Sequence, residues 1–137
     1  MAKINQDVIE QFRANRGEIL RGMFKGAPIL LLTTRGAKSG ASYTTPLAYT
    51  RDGDRLVVIA SKGGAPTHPG WYHNLVTNPE VTVEVGPEQF EARATPAQGE
   101  ERERLFDAQA ARMPGFAEYQ RNTARRIPVV VLERRPG

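Results

Sequence analysis

Two short stretches bring together residue types that can hold an anion. Arg35-Gly36-Ala37-Lys38-Ser39-Gly40 and Ser61-Lys62-Gly63-Gly64-Ala65 each combine a lysine, a serine and small residues. The small residues let backbone N–H groups come close to an oxyanion, and the lysine supplies charge. A helix opening at Pro69-Gly70-Trp71 would add a positive dipole end nearby in sequence. Either stretch alone reads equally well as an ordinary turn. Together they suggest a groove for a phosphorylated ligand.

Other chemistries are excluded. The chain has no cysteine, which rules out disulfides, thiolate zinc sites and cysteine nucleophiles. His68 and His73 are its two histidines, too few for a three-histidine site, and no metal is expected. No G-x-G-x-x-G follows a strand, and Lys38-Ser39 lacks the upstream glycine spacing of a Walker loop. H-E-x-x-H and G-x-S-x-G are absent. Glu100-Glu101, beside Arg102 and Arg104, read as a solvated helix face with i,i+4 pairs.

Nineteen basic against fifteen acidic residues leave a net charge of +4, which favours an anionic partner. The basic residues stand singly or in pairs, as at Arg125-Arg126 and Arg134-Arg135, which argues against nucleic acid. No apolar run reaches the length of a membrane span. The first residues, MAKINQDVIEQFRANRGE, lack a signal-peptide core, so the expected location is the cytoplasm, with at most a peripheral contact at the inner face of the membrane. The length of 137 residues suits one domain: an N-terminal helix in 1–26 and an antiparallel sheet or small barrel in 27–137.

The elements that must position the two loops follow from periodicity. Residues 3–25 read as an amphipathic helix, with Ile4, Val8, Phe12, Ile19 and Met23 on one side and Gly26-Ala27-Pro28 as its stop. This helix either packs across the rest of the fold with Arg13, Arg16 and Arg21 in solvent, or forms a lid or basic rim beside the anionic ligand, or makes a weak membrane contact. Residues 29–34, 43–50 and 56–60 read as strands, the last two joined by an Asp-Gly hairpin at 51–54. A short helix with Trp71 and Leu75 on one face ends at Asn78-Pro79. Val81, Val83 and Val85 alternate with polar residues, and Phe90, Ala92 and Ala94 alternate again. Thr95-Pro96-Ala97-Gln98 resembles a capping box for a helix to Arg112. A helix at about 115–125 and a strand from Val129 to Glu133 complete the chain. Strands arranged in hairpins rather than alternating with helices indicate an α+β fold around an antiparallel sheet or small barrel.

The stretches at 31–40, 45–47, 60–65, 70–75, 78–83 and 126–130 (LLTTRGAKSG, TPL, ASKGGA, GWYHNL, NPEVTV and RIPVV) resemble the deazaflavin-dependent nitroreductase family, in order, over about 29–132. The resemblance implies a split β-barrel and binding of the deazaflavin coenzyme F-420. Carried across by position, Ala37, Lys38 and Ser39 would hold the coenzyme phosphate and the start of its glutamate tail. Tyr43, Thr44, Thr45, Pro46, Leu47 and Ala48 would line the ribityl chain and ring. Ile59, Ala60, Ser61 and Lys62 would pass along the ring edge. Gly70, Trp71, Tyr72, His73 and Asn74 would supply N–H groups and a wall, and Phe116 would face the ring from the substrate side.

Three positions depart from the family. Tyr43 stands where an arginine is usual. Ala48 replaces a tyrosine found in some members. Phe116 replaces a tyrosine implicated in substrate contact, leaving Tyr119 as the nearby hydroxyl. The implied activity is hydride transfer to quinones, activated alkenes such as unsaturated lactones, and nitroaromatics. Ser61, or a water it holds, is the candidate donor to the developing oxyanion, with Tyr119 beside it; Ser61 reads alternatively as a backbone cap. An FMN-binding split-barrel oxidoreductase and a non-catalytic carrier of the coenzyme are the alternatives. The expected partner is a small-molecule hydride acceptor, and the expected assembly a monomer or weak homodimer.

Overall fold

The computed structural model describes residues 2–22 and 24–135. Met23 and the side chain of Ile4, both assigned to the first helix's apolar stripe, lie outside what is described. Helix α1 (Ala2–Ala14) precedes strands β1 (Ile29–Arg35), β2 (Ser42–Asp52) and β3 (Arg55–Ile59). A 3-10 turn at Lys62–Gly64 leads to helix α2 (Gly70–Thr77) and strands β4 (Glu80–Val85) and β5 (Glu88–Pro96). Helices α3 (Gly99–Arg112) and α4 (Gly115–Arg121) lead to strand β6 (Val129–Arg134). The strands close into an antiparallel barrel in the order β1-β2-β3-β6-β5-β4, so the α+β barrel expected from the hairpins is present.

Successive side chains on a strand point to opposite faces. Leu30, Leu32, Leu56, Val58, Val81, Val83, Val130 and Leu132 therefore fill the barrel, with Trp71 and Leu75 of α2 entering the same core. The opposite faces of three strands are also apolar and need a cover. Ile29 and Leu31 are covered by Val8, Ile9, Phe12 and Ile19. Val57, Ile59, Val129 and Val131 are covered by Leu105 and Phe106 of α3, with Ile127.

One pairing is incomplete. β1 runs beside β2 from Ser42 to Ala48, whereas β3 joins β2 only from Tyr49 to Asp52. Tyr49 donates its N–H to Pro28 O at 3.2 Å. By alternation, the backbone groups of Thr44, Pro46 and Ala48 point to the unpaired edge. Proline is tolerated there because no ladder bond is asked of it.

Several expectations need correction. The first helix stops at Ala14 rather than near Lys25. Arg16 (φ 55°) takes the left-handed conformation, and Gly17 donates its N–H to Phe12 O at 2.8 Å, which closes a Schellman-type end. Thr95 and Pro96 do not cap α3: they pair with Val131 and Val130 as the end of β5, and the helix starts at Gly99. Strand pairing outcompeted the local capping pattern. α4 ends at Arg121, short of the expected 125. The face with Glu100 and Glu101 is not wholly solvated, because Arg102 is buried. Its neighbours pair across elements rather than along the helix: Glu101 with Arg55, and Arg104 with Asp52. Asp52, held by Arg104 and Arg55, has a carboxyl pKa lowered to about 2.

Gly17 has φ +96°, and a Cβ there would lie 2.6 Å from Gly86 Cα in the β4–β5 turn. Gly17→Ala should cost roughly 1–3 kcal/mol through backbone strain and displacement of that turn. Gly22→Ala, also at positive φ but with open space around it, should cost less. Urea unfolding of the two variants checks the ordering.

Candidate active site

The unpaired edge of β2 borders a cleft of about 1230 Å³. Its walls bring together the two loops singled out in the sequence. Asn74 of α2 accepts the Ala37 N–H on Oδ1 at 3.1 Å and donates from Nδ2 to Thr34 Oγ1 at 3.2 Å. Asn78 donates to Arg35 O at 3.4 Å. Helix α2 is thereby pinned to the β1–β2 loop. That loop is tied within itself: Gly36 N–H to Ala41 O at 2.7 Å, Ala41 N–H to Ser39 Oγ at 3.2 Å, and Ser39 Oγ to Tyr43 Oη at 3.3 Å. A Cβ on Gly36 would meet Ser39 Oγ at 2.6 Å, which explains the glycine. Lys38 borders the cleft, and none of the ion pairs among the described residues includes it.

Ala37, Lys38, Ser39, Tyr43, Thr45, Pro46, Leu47 and Ala48 line one side of the cleft. Ile59, Ser61, Lys62, Gly70, Trp71, His73 and Asn74 line another, and Phe116 and Tyr119 stand on α4. Three expected contacts are absent from the lining. Ala60 is fully buried in the barrel core. Tyr72 packs against that core and meets the His68 ring at a 56° tilt, with ring centroids 4.9 Å apart. The Thr44 side chain turns to the other face, 2.8 Å from Thr33 Oγ1, although its backbone belongs to the open edge. Asn5 and Phe24 also reach the cleft, but Arg13, Arg16 and Arg21 do not line it, and Arg13 and Arg21 pair with Glu84 and Asp7, so the N-terminal segment packs on the barrel and adds no basic rim.

Ser61 occupies the N-cap position of the 3-10 turn, yet its side chain makes no capping hydrogen bond. It lines the cleft instead. Lys62 takes a left-handed φ of 49°, and its Nζ donates to Thr67 Oγ1 at 3.2 Å. Gly64 lies against α4: a Cβ there would be 3.0 Å from Tyr119 O. On that helix, Phe116 and Tyr119 meet edge to face at 5.9 Å.

Two arginines missed in the sequence support this wall. Arg125 donates from Nε to Ala65 O at 2.8 Å, and from its two Nη atoms to Ser61 O at 2.6 Å, Ala60 O at 3.2 Å and His68 Nδ1 at 2.9 Å. Buried Arg102 donates to Ile127 O at 3.2 Å and 2.5 Å and to Gln120 Oε1 at 2.9 Å, with its guanidinium 4.5 Å from the Phe106 ring centre. Gln120 Nε2 donates to Arg125 O at 2.8 Å. Burial lowers both guanidinium pKa values from the ordinary arginine range. Arg125 read as half of a basic pair and Arg102 as a surface charge; only their position against carbonyls separates them from solvated arginines.

The arrangement suits a ligand with an anionic tail and a flat apolar head. Lys38 and the small-residue loop form the cationic end. Leu47, Ala48, Trp71 and Phe116 form the apolar end, and the open β2 edge between them offers hydrogen-bonding groups. Among the described residues, no cluster of three or more His, Asp or Glu could hold a metal ion. No helix of the described residues is long and apolar enough to cross a membrane.

A closed antiparallel barrel with such a cleft can seat a flat ligand that carries an anionic tail. The chain belongs to the F420H(2)-dependent quinone reductase family, which its sequence matches over residues 4–134, and its cofactor is coenzyme F-420. An F420H(2)-dependent quinone reductase of Mycobacterium tuberculosis is 44% identical over 127 residues, covering 90% of this chain and 85% of that protein. A solved structure of an F420-H2 dependent reductase is 42% identical with a TM-score of 0.72, covering 77% of this chain and 94% of that one. A second, described as a domain-swapped dimer, is 37% identical with a TM-score of 0.74, covering 91% of this chain and 95% of that one.

His68 accepts from a permanently charged guanidinium, so it must be neutral there. Burial, then Arg125, then His73 push its pKa below the ordinary 6.5. A base whose folded pKa is depressed adds stability above its unfolded pKa and loses it as pH falls towards the folded value. Urea midpoints should therefore drop between about pH 7 and about pH 5, and His68→Gln, which keeps an acceptor without titrating, should flatten that drop.

Proposed function

We propose that this chain passes hydride from the reduced deazaflavin coenzyme to small planar quinones and, more slowly, to unsaturated lactones. The carrying observation is the single cleft that is cationic at Lys38 and apolar at Phe116, joined by the open β2 edge. Lys38, Ser39 and the N–H groups of their loop hold the phosphate and the start of the acidic tail. Tyr43 to Ala48 run beside the ribityl chain and ring. Ile59, Ser61 and Lys62 follow the ring edge, and Gly70, Trp71 and His73 close the opposite side. Asn74 acts through the loop it ties to α2.

When bound, the reduced coenzyme supplies the hydride. The protein holds the acceptor against the apolar wall of Phe116 and keeps water away from it. The Ser61 hydroxyl, free of a capping bond, donates to the acceptor oxygen as negative charge develops there. Tyr119 is the second hydroxyl on that side. The whole chain, 1–137, acts as one reductase domain, a monomer or weak homodimer in the cytoplasm. FMN is the runner-up ligand.

Fluorescence of Trp71, the chain's single tryptophan and part of the cleft wall, reports binding. The coenzyme should quench it at much lower concentration than FMN; equal affinities would favour the FMN reading. Lys38→Ala should weaken coenzyme binding by roughly 1.5–3 kcal/mol, the range for hydrogen bonds to charged groups, and the loss should shrink at high salt.

The acceptor end has few donors, so its selectivity should be broad. Steady-state turnover should run fastest with a quinone, then an unsaturated lactone, and slowest with a bulky nitroimidazole. Phe116→Tyr places a hydroxyl at that wall and should raise nitro reduction. A wild type fastest on the nitroimidazole, with no gain in the variant, contradicts this account of the pocket.

A further inference from the structure

The carbonyls of Ala60, Ser61 and Ala65 lie just past the end of β3. Ala60 donates its N–H to Pro128 O at 2.9 Å, so its carbonyl faces the same residue, and a proline has no N–H to return; Ser61 and Ala65 lie outside any ladder. Arg125 reaches all three from the segment between α4 and β6. Its fourth acceptor is His68 Nδ1, just ahead of α2. One planar guanidinium thus ties the loop bearing Ser61 and Lys62 to the segment that follows Phe116 and Tyr119. Gly64 also lies against the Tyr119 backbone, so the two walls touch directly as well.

We infer that Arg125 is the positioning residue of this enzyme's cleft: its guanidinium supplies the donors that Pro128 and the broken end of β3 cannot, and sets the Ser61 loop against α4. The inference rests on the proposed role of Ser61 for its effect on turnover, but not for its effect on the loop. Arg125 itself lines no part of the cleft, so it acts through the loop. A lysine cannot replace it. An ammonium on a flexible stem is a point donor, whereas these four acceptors are matched to a rigid fork. Acid should loosen the same clamp, since a protonated His68 would face Arg125, with His73 and the Tyr72 ring as its other neighbours.

The test uses the full-length protein without ligand and then with the reduced coenzyme and a quinone. In Arg125→Lys, amides of residues 60–66 should exchange with deuterium at least about tenfold faster, while those of β1 and β6 keep their rates. Quinone turnover should fall about ten- to hundredfold, in kcat more than in KM. Adding Ser61→Ala to Arg125→Lys should then cost much less than Ser61→Ala costs alone. Wild-type exchange at 60–66 with turnover within about twofold of wild type overturns the proposal. If Arg125→Lys fails to fold, His68→Phe removes one of the four acceptors. Faster exchange confined to 60–68 in that variant supports the clamp, and unchanged exchange overturns it. If Arg125→Lys loosens the loop but Ser61→Ala alone leaves turnover intact, the clamp stands and the donor role of Ser61 falls.

Discussion

The structure depends on a strand pairing that is made halfway. β3 holds β2 at the hairpin end, from Tyr49 to Asp52, and then leaves it. A fully paired barrel of this size would be filled by side chains and offer no edge to a ligand. Ending the ladder early exposes Ser42 to Ala48 on one side while β1 still fixes their register on the other. The cost is a set of carbonyls and N–H groups without a strand partner. Pro46 removes one donor from that debt. Arg125 satisfies the carbonyls of Ala60, Ser61 and Ala65 just beyond the end of β3, where Pro128 has no N–H to give. What remains is the row of groups that faces the cleft.

The same interruption explains why β2 is unlike its neighbours. β1 is buried over most of its length and β6 through Leu132, so their near-continuous apolar runs have a barrel face and a helix-covered face. β2 is nowhere fully buried. Helix α1 covers the barrel on one side of it and α3 on the other. The floor between them is where Pro46 and Ala48 meet the cleft. Small residues at that floor and Phe116 on the far wall leave room for something flat. The far wall is held in place by Arg102 and by the Arg125 carbonyl, both bonded to Gln120 of α4.

Much of this was legible in the chain. Alternation in Val81-Thr82-Val83-Glu84-Val85 and the apolar runs at 29–32 and 129–132 specify strands on physical grounds alone. The lysine–serine loops stood out because small residues and charge coincide there, and residues of both line the cleft. Two boundaries failed for one reason, the competition between local signals and tertiary bonding. Thr95-Pro96 has the chemistry of a helix start, yet β6 offers it a ladder. Residues 15–25 continue an apolar repeat, yet a left-handed Arg16 and the contact of Gly17 with Gly86 turn the chain. The arginines were opaque for a different reason. Arg102 and Arg104 are two residues apart on one helix; one is buried against Ile127 O and the other is exposed beside Asp52. Their sequence surroundings do not distinguish them, because the deciding partners come from distant strands and loops.

That division of labour also bears on what the net positive charge is for. Every ion pair among the described residues is made by an arginine, and Arg102 and Arg125 serve backbone carbonyls as well. Guanidinium forks suit such fixed geometry. The lysines at the cleft, Lys38 and Lys62, are in none of these pairs. An ammonium on a flexible stem can follow a phosphate or a carboxylate whose position varies. A tail of several acidic groups needs that tolerance more than it needs a rigid fork. The excess charge available to a ligand is therefore smaller than the basic count suggests, and at the cleft it rests on Lys38 and Lys62, in a lining otherwise built from neutral groups of the β2 edge, α2 and the aromatic pair on α4.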